Sequence, residues 1–230
     1  MVVLSRMQYT TWLRWGIIAS AFLVPFIAFV APAPGVAVFG NMFFPYITGK
    51  NFAFRILVEL MVFGFVILAL KDPKYRPRSS WLMWTALAFV AWMAVATAFS
   101  VDPIKSFWSN FERMEGYVGL LHLFAWFVVT GVVLTADKLW DRFFNTSIVA
   151  SAFMGAYAIL QVTHLFGFAP TSQSGARADT TLGNATYLAV YLLFMLFITL
   201  FMLVRRRQST LWQVLYALAM VLQVAGLYFT

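Results

Sequence analysis

This chain contains no cysteine and only two histidines among its 230 residues. The missing thiols exclude disulfides, thiolate metal sites and cysteine nucleophiles together. The two histidines, His122 and His164, lie in separate apolar runs and make no metal-binding constellation. The sequence also has no glycine-rich phosphate loop and no internal repeat. We therefore expect no metal ion and no cofactor.

Charged residues are scarce as well, at 10% of the chain, whereas 63% of the residues are hydrophobic. The mean hydropathy of +0.84 lies outside the range of soluble globular proteins and predicts an integral membrane protein. A helix needs an apolar run of about 20 residues to cross the hydrocarbon core. Seven such runs are present: Leu13–Ala31, Phe52–Leu70, Trp81–Phe99, Tyr117–Thr135, Phe144–His164, Ala185–Val204 and Leu211–Tyr228.

These runs are continuously apolar and do not alternate as barrel strands do, so the fold class is predicted to be all-α, a polytopic transmembrane helical bundle. We expect a single transmembrane domain over residues 1–230 that is the N-terminal fragment of a longer protein. The fifth run is predicted to lie inside the bundle, because small side chains let neighbouring backbones approach closely. Its small residues are Ser147, Ala150, Ser151, Ala152, Gly155, Ala156 and Ala158.

The basic residues predict the orientation, because short loops rich in Lys and Arg stay in the cytoplasm. A cytoplasmic N-terminus places eleven of the sixteen Lys and Arg residues on the inner side: Arg6, Arg14, Lys71, Lys74, Arg76, Arg78, Lys138, Arg142, Arg205, Arg206 and Arg207. The net charge of +8 is then mostly a topology signal. Because these cations are scattered over separate loops, we expect no nucleic acid partner.

The other five cations are predicted on the outer side, and they are Lys50, Arg55, Lys105, Arg113 and Arg177. Arg55 and Glu59 have the i, i+4 spacing that places two side chains on one helical face. If Asn51 caps this helix, they lie about 6 and 12 Å from its outer end. Two interpretations remain open: a structural ion pair, or an Arg55 that faces an anionic ligand while Glu59 orients it.

The second outer loop contains Ile104, Phe107, Trp108 and Phe111 at helical spacing, which predicts a short amphipathic helix in the membrane interface. Glu112, Arg113 and Glu115 follow as a charge cluster, in which the arginine could bind a phosphate in a bidentate manner. The alternative is local pairing of Arg113 with one of the two glutamates. His122, about two turns further on, is expected to be buried and neutral.

The third outer loop, residues 165–184, has Arg177 as its only cation. Gly183-Asn184 predicts a turn followed by a helix N-terminus, where free N–H groups favour anions. We predict that Arg113 and Arg177, from separate outer loops, converge with Arg55 on one basic pocket, since three cations on the disfavoured side of the membrane call for anionic partners. The alternative is local pairing of Arg177 with Asp179.

Three runs, Phe44–Arg55, Ser106–Gly116 and Thr181–Ala189, together resemble the N-terminal half of bacterial O-antigen ligase and O-antigen polymerase-like membrane proteins. One departure is Ala185, where the family pattern has proline after Gly-Asn, and this affects only the local turn geometry. The resemblance covers most of the chain from about Pro45 onward.

The resemblance implies a bacterial inner-membrane enzyme of cell-surface polysaccharide or lipopolysaccharide biosynthesis. It would transfer a glycan from undecaprenyl diphosphate to an acceptor on the periplasmic face, without a metal ion. Arg55, Glu59, Arg113, Arg177 and Asn184 are the candidate substrate-binding residues, while the catalytic residues are unknown because the family's catalytic loop would follow Thr230. The alternatives are a small transporter or flippase component for an amphiphilic anion, or a non-catalytic membrane scaffold.

Overall fold

The fold is known from a computed structural model, which describes residues 2–31, 45–110, 113, 115–165, 172–206 and 209–230. Within these ranges the regular structure is entirely helical, which confirms the predicted all-α fold. The α-helices are α1 (Val2–Leu23), α2 (Pro45–Lys71), α3 (Trp81–Ala98), α4 (Pro103–Trp108), α5 (Tyr117–Val133), α6 (Asp137–Thr163), α7 (Ala185–Arg205) and α8 (Thr210–Tyr228). Short 3₁₀ helices occur at Val24–Phe29, Pro73–Tyr75 and Thr180–Leu182.

Six helical segments are long and apolar enough to cross a membrane: Tyr9–Phe29, Tyr46–Lys71, Trp81–Ala98, Asp137–Thr163, Ala185–Arg205 and Thr210–Tyr228. The remaining predicted span forms α5, whose 17 residues are at the lower limit for a transmembrane helix. The chain is therefore a multi-pass α-helical membrane protein. Its orientation and its bacterial inner-membrane location stay predictions.

The first span changes its helix type at a proline. Helix α1 ends at Leu23, and the chain continues as a 3₁₀ helix from Val24 to Phe29 that contains Pro25. Proline has no N–H to donate to the carbonyl four residues earlier, and its ring clashes with that carbonyl. The α-helical hydrogen-bond ladder therefore stops here.

The chain divides into two compact units, which we describe separately. The first unit comprises Met1–Ile27 and Pro32–Ala136, and the second comprises Ala28–Ala31 and Asp137–Thr230. In the first unit, α2 packs against α1 and α5, while α5 also packs against α3 and α4. Helix α3 buries only Val90 and exposes most of its apolar side chains. The single-domain organisation expected from the sequence stays a prediction.

In the second unit α6, α7 and α8 pack against one another. Helices α6 and α8 approach each other closely at Gly155, where an added Cβ atom would lie 2.4 Å from the carbonyl oxygen of Leu222. The predicted interior position of this span is confirmed, because most of its small residues are buried. The buried ones are Ser147, Ala150, Ser151, Gly155 and Ala158, while Ala152 and Ala156 are partly buried.

Polar side chains join these three helices at two levels. In the interior, Nε2 of the fully buried Gln223 donates to Ser151 Oγ at 2.7 Å and to Thr199 Oγ1 at 2.9 Å. Near one end, the Asp141 carboxylate lies 2.9 Å from Arg205 Nε and 2.6 Å from Arg206 Nη2. The start of α6 and the end of α7 therefore lie on the same side of the unit, consistent with the predicted topology. The neighbouring Arg207 lies outside the described residues.

Candidate functional site: an amphiphilic cleft in the first unit

The first unit contains a cleft with a volume of about 730 Å³. Helices α2, α3, α4 and α5 contribute to its walls. Its described lining consists of Asn51, Phe54, Arg55, Phe89, Met93, Ala96, Thr97, Ser106, Glu115, Gly116, Tyr117, Gly119, Leu120 and Leu123. The volume is within the range of about 300–1,000 Å³ that is typical of small-molecule sites. This cleft is referred to below as the amphiphilic cleft.

The lining of the cleft combines polar and apolar residues. Thr97 lies near the C-terminal end of α3, while Glu115 and Tyr117 lie at the start of α5. The apolar Phe89 and Leu123 lie further from these ends. The end of α3 and the start of α5 both approach α4, through Ser100 with Ser106 and through Gly116 with Phe107, so Thr97 and Glu115 lie at the same end of the cleft. The cleft is therefore suited to a ligand with one polar and one apolar part.

Arg55 is the only cation among the described lining residues of the cleft. Only 8% of the surface of this residue is exposed. Helix α2 begins at Pro45, so the expectation that Asn51 caps it is wrong. Arg55 and Glu59 thus lie 10 and 14 residues into the helix, or about 15 and 21 Å along its axis. Both are deeper than the sequence predicts.

The segment that closes the polar end is held by specific contacts. Asp102 caps α4, since its Oδ1 accepts from the Lys105 N–H at 3.0 Å. Helix α4 is the predicted amphipathic helix, although it ends at Trp108 and Phe111 lies outside the described residues. After it, the chain passes so close to α4 that a Cβ atom on Gly116 would lie 2.4 Å from the Phe107 carbonyl oxygen. Only glycine fits at this position without moving the backbone.

Asn51 and Tyr117 fasten this segment to the neighbouring helices. The Asn51 Nδ2 donates to the carbonyl oxygen of Arg113 at 2.8 Å, which links α2 to the loop between α4 and α5. The Tyr117 hydroxyl donates to the Val90 carbonyl oxygen on α3 at 3.1 Å. The Arg113 side chain is partly buried, and Glu112, one of its predicted partners, lies outside the described residues. The role of Arg113 in phosphate binding stays a prediction.

Glu59 makes a contact that the sequence did not indicate. It attracts Arg55 electrostatically, as the i, i+4 spacing predicts. Its Oε1 atom, however, lies 3.3 Å from Nε2 of His122 on α5, and this imidazole is only 16% exposed. The available signal was a glutamate in one apolar run and a histidine in another, but nothing in the spacing shows that the two helix faces meet.

Arg177 and Asn184 belong to the second unit. The Asp179 carboxylate accepts hydrogen bonds from Gln161 Nε2 at 3.0 Å and from the Gln173 N–H at 2.6 Å. Arg177 Nε instead donates to the carbonyl oxygen of Thr230. The alternative, a local pair of Arg177 with Asp179, is therefore not formed, because Gln161 and loop N–H groups occupy the carboxylate.

Asn184 is the N-cap of α7, and its Oδ1 accepts from the Thr186 N–H at 2.8 Å. The predicted helix N-terminus is confirmed. Because Arg55 and Arg113 belong to the first unit and Arg177 to the second, the convergence of the three arginines stays a prediction.

The fold and the cleft define a multi-pass helical membrane protein with one buried arginine at an amphiphilic site. Among the described residues, no group of three or more acidic or histidine side chains is placed to hold a metal ion. Comparison of the chain with protein-family models, curated proteins and solved structures gave no match.

Proposed function

We propose that this chain is the membrane-embedded part of an O-antigen ligase-like glycan transferase of the bacterial inner membrane. It would move a glycan from an undecaprenyl diphosphate carrier to an acceptor on the periplasmic face. The observation that supports this proposal is the amphiphilic cleft, whose described lining combines the buried Arg55 with apolar side chains such as Phe89 and Leu123. The resemblance of the three sequence runs to that family points to the same chemistry.

A lipid-linked diphosphate matches the two parts of the cleft. Its phosphate oxygens would bind Arg55, because a guanidinium forms strong charge-assisted hydrogen bonds with phosphate. Its prenyl chain would lie against the apolar walls and continue into the bilayer along Phe89 and Leu123, which are 55% and 56% exposed. The cleft therefore needs to hold only the diphosphate headgroup and the first part of the prenyl chain.

Transfer of the glycan leaves a diphosphate with increased negative charge. A fixed cation at this position stabilises the transition state more than the ground state, because the charge develops on the leaving group. Burial strengthens this effect, since little water screens the interaction. Glu115, an exposed carboxylate in the cleft lining, is placed to accept hydrogen bonds from sugar hydroxyls. The family's catalytic loop would supply the remaining groups.

Binding of farnesyl diphosphate to the full-length protein in nanodiscs tests this proposal. We expect Arg55→Met to weaken binding by about 10- to 100-fold, the range for losing a hydrogen bond to a charged group. The matched control is Arg78→Met, which removes an equal charge at an exposed position near the predicted inner side. Equal affinity for Arg55→Met and Arg78→Met, with the fold intact by circular dichroism, would exclude the cleft as the diphosphate site.

A passage for an amphiphilic anion is a second candidate function. It is favoured by the position of Glu59 and His122, since polar groups continue along α2 beyond Arg55 toward the inner end. A transporter would exchange labelled prenyl diphosphate across proteoliposome membranes, whereas a transferase would bind the lipid without moving it. Exchange that Arg55→Met abolishes would select the transporter.

A further inference from the structure

The hydrogen positions on His122 follow from its two neighbours. Its Nδ1 atom lies 2.7 Å from the carbonyl oxygen of Val118, one turn earlier in α5. A carbonyl oxygen can only accept a hydrogen bond, so Nδ1 must carry a hydrogen. The other ring nitrogen, Nε2, faces the Glu59 carboxyl group at 3.3 Å. These contacts therefore fix the hydrogen on Nδ1 but leave undetermined whether a proton lies between Nε2 and the Glu59 carboxyl group.

A favourable contact at Nε2 requires one further proton. Either a protonated imidazole donates to a carboxylate, or a carboxylic acid donates to a neutral imidazole, and both forms have zero net charge. A neutral imidazole facing an ionised carboxylate would place two acceptors against each other. Glu59 lies beside Ile56, Leu60 and Phe63, which are 54%, 59% and 69% exposed on an apolar helix face. Neutrality suits that environment, where an isolated charge is costly.

This pair is electrostatically connected to the amphiphilic cleft. Arg55 lines the cleft and is attracted by Glu59, which is one helical turn away. While the pair holds its proton, the negative charge of Glu59 is cancelled within the pair. When the proton leaves to water, the pair acquires a charge of −1, and the carboxylate then competes with any anion bound to Arg55.

We propose that the Glu59–His122 pair regulates the cleft, so that loss of its shared proton weakens anion binding at Arg55. This inference rests on the proposed function, because it assumes that Arg55 binds an anionic headgroup. It assigns the two residues a positioning role and no catalytic step.

Other ionisable groups on the neighbouring helices make no contact with Glu59 in the part of the chain that the structure describes. Helix α2 packs against α1, α5 and the 3₁₀ helix Pro73–Tyr75. Apart from His122, their described ionisable side chains are Tyr9, Arg14, Lys74, Tyr75 and Tyr117. Helix α5 also packs against α3, which has no ionisable residue, and α4, which has Lys105. The contacts and electrostatic interactions of Glu59 involve His122 and Arg55.

The experiment measures farnesyl diphosphate affinity between about pH 5 and pH 9. Wild type is compared with Glu59→Gln, whose amide can still donate to Nε2 but does not titrate. Taking the affinity ratio of the two proteins at each pH cancels the titration of the phosphate groups. As the pH rises, we expect the affinity of the wild type to fall by about tenfold relative to that of Glu59→Gln. This is the order of magnitude expected for one added negative charge about one helical turn from Arg55.

Nitrogen-15 NMR of labelled histidine supplies a readout that is independent of binding. The chain has only two histidines, so His164→Gln identifies the His122 signals. The expected spectrum shows a protonated Nδ1 and an Nε2 whose titration shifts in Glu59→Gln. An Nε2 signal that is unchanged by Glu59→Gln would overturn the shared-proton pair.

The binding outcomes separate the two proposals. A constant affinity ratio, with binding that still depends on Arg55, would overturn the regulation and leave the proposed function intact. Absence of binding at every pH would overturn both. A falling ratio together with the altered Nε2 titration would support the regulatory pair.

Discussion

The contact between α6 and α8 at Gly155 makes a quantitative prediction about stability. A Cβ atom added at Gly155 would lie 2.4 Å from the carbonyl oxygen and 2.8 Å from the carbonyl carbon of Leu222. Both are backbone atoms, so no side-chain rotation can relieve the clash. The reverse contact is similar, because a Cβ atom on Gly226 would lie 2.8 Å from the Gly155 Cα. Gly155→Ala must therefore move the two helices apart.

The expected cost follows from two opposing terms. Overpacking of a well-packed interior costs about 1–3 kcal/mol, and the upper end applies here because the obstacle is backbone. Alanine has a higher helix propensity than glycine, which stabilises the helix by about 1 kcal/mol. The net loss is then about 2 kcal/mol. For a chain of this length, that loss lowers the Tm by about 4–8 °C.

Thermal unfolding in a mild detergent, followed by circular dichroism, measures this shift. The matched control is Gly16→Ala on α1, where an added Cβ atom meets no atom within 4 Å. We expect Gly16→Ala to leave the Tm unchanged or to raise it, because only the propensity term remains. If the Tm of Gly155→Ala lay within about 1 °C of that control, α6 and α8 could not approach as closely as described.

Three further predictions concern buried polar groups and orientation. Gln223→Leu should change the free energy of unfolding by less than about 1 kcal/mol, because hydrogen bonds between membrane helices contribute little. In addition, the Gln223 Oε1 has no hydrogen-bond partner among the described atoms. A loss above about 3 kcal/mol in detergent unfolding would contradict this prediction. Asp141→Asn should lower the free energy of unfolding by about 1–3 kcal/mol, because it leaves Arg205 and Arg206 without their carboxylate. The control Asp137→Asn, at an exposed position, should cost less, and equal losses would refute the pairing. A cysteine at position 79, introduced as Ser79→Cys, should resist an impermeant reagent added from outside, and labelling there would reverse the predicted topology.

The sequence by itself determined the class of protein and most of its helices. Apolar runs of membrane length must form helices, because a backbone in lipid has to satisfy its hydrogen bonds within the segment. Local chemistry marked the start of α7 correctly, because Asn184 caps that helix as expected. These features depend on neighbours within a few residues, so they can be predicted without knowing the fold.

Only the tertiary structure decided how the candidate site is assembled. The contact of Glu59 with His122 and that of Asn51 with Arg113 join residues more than 60 positions apart. Apolar runs do not reveal which helix faces meet, because nearly every side chain in them is hydrophobic. The meeting faces are selected by close packing summed over many side chains, as where the chain at Gly116 passes the Phe107 carbonyl. That selection placed Arg55 in a cleft, and it is a property of the packed unit that no local pattern contains.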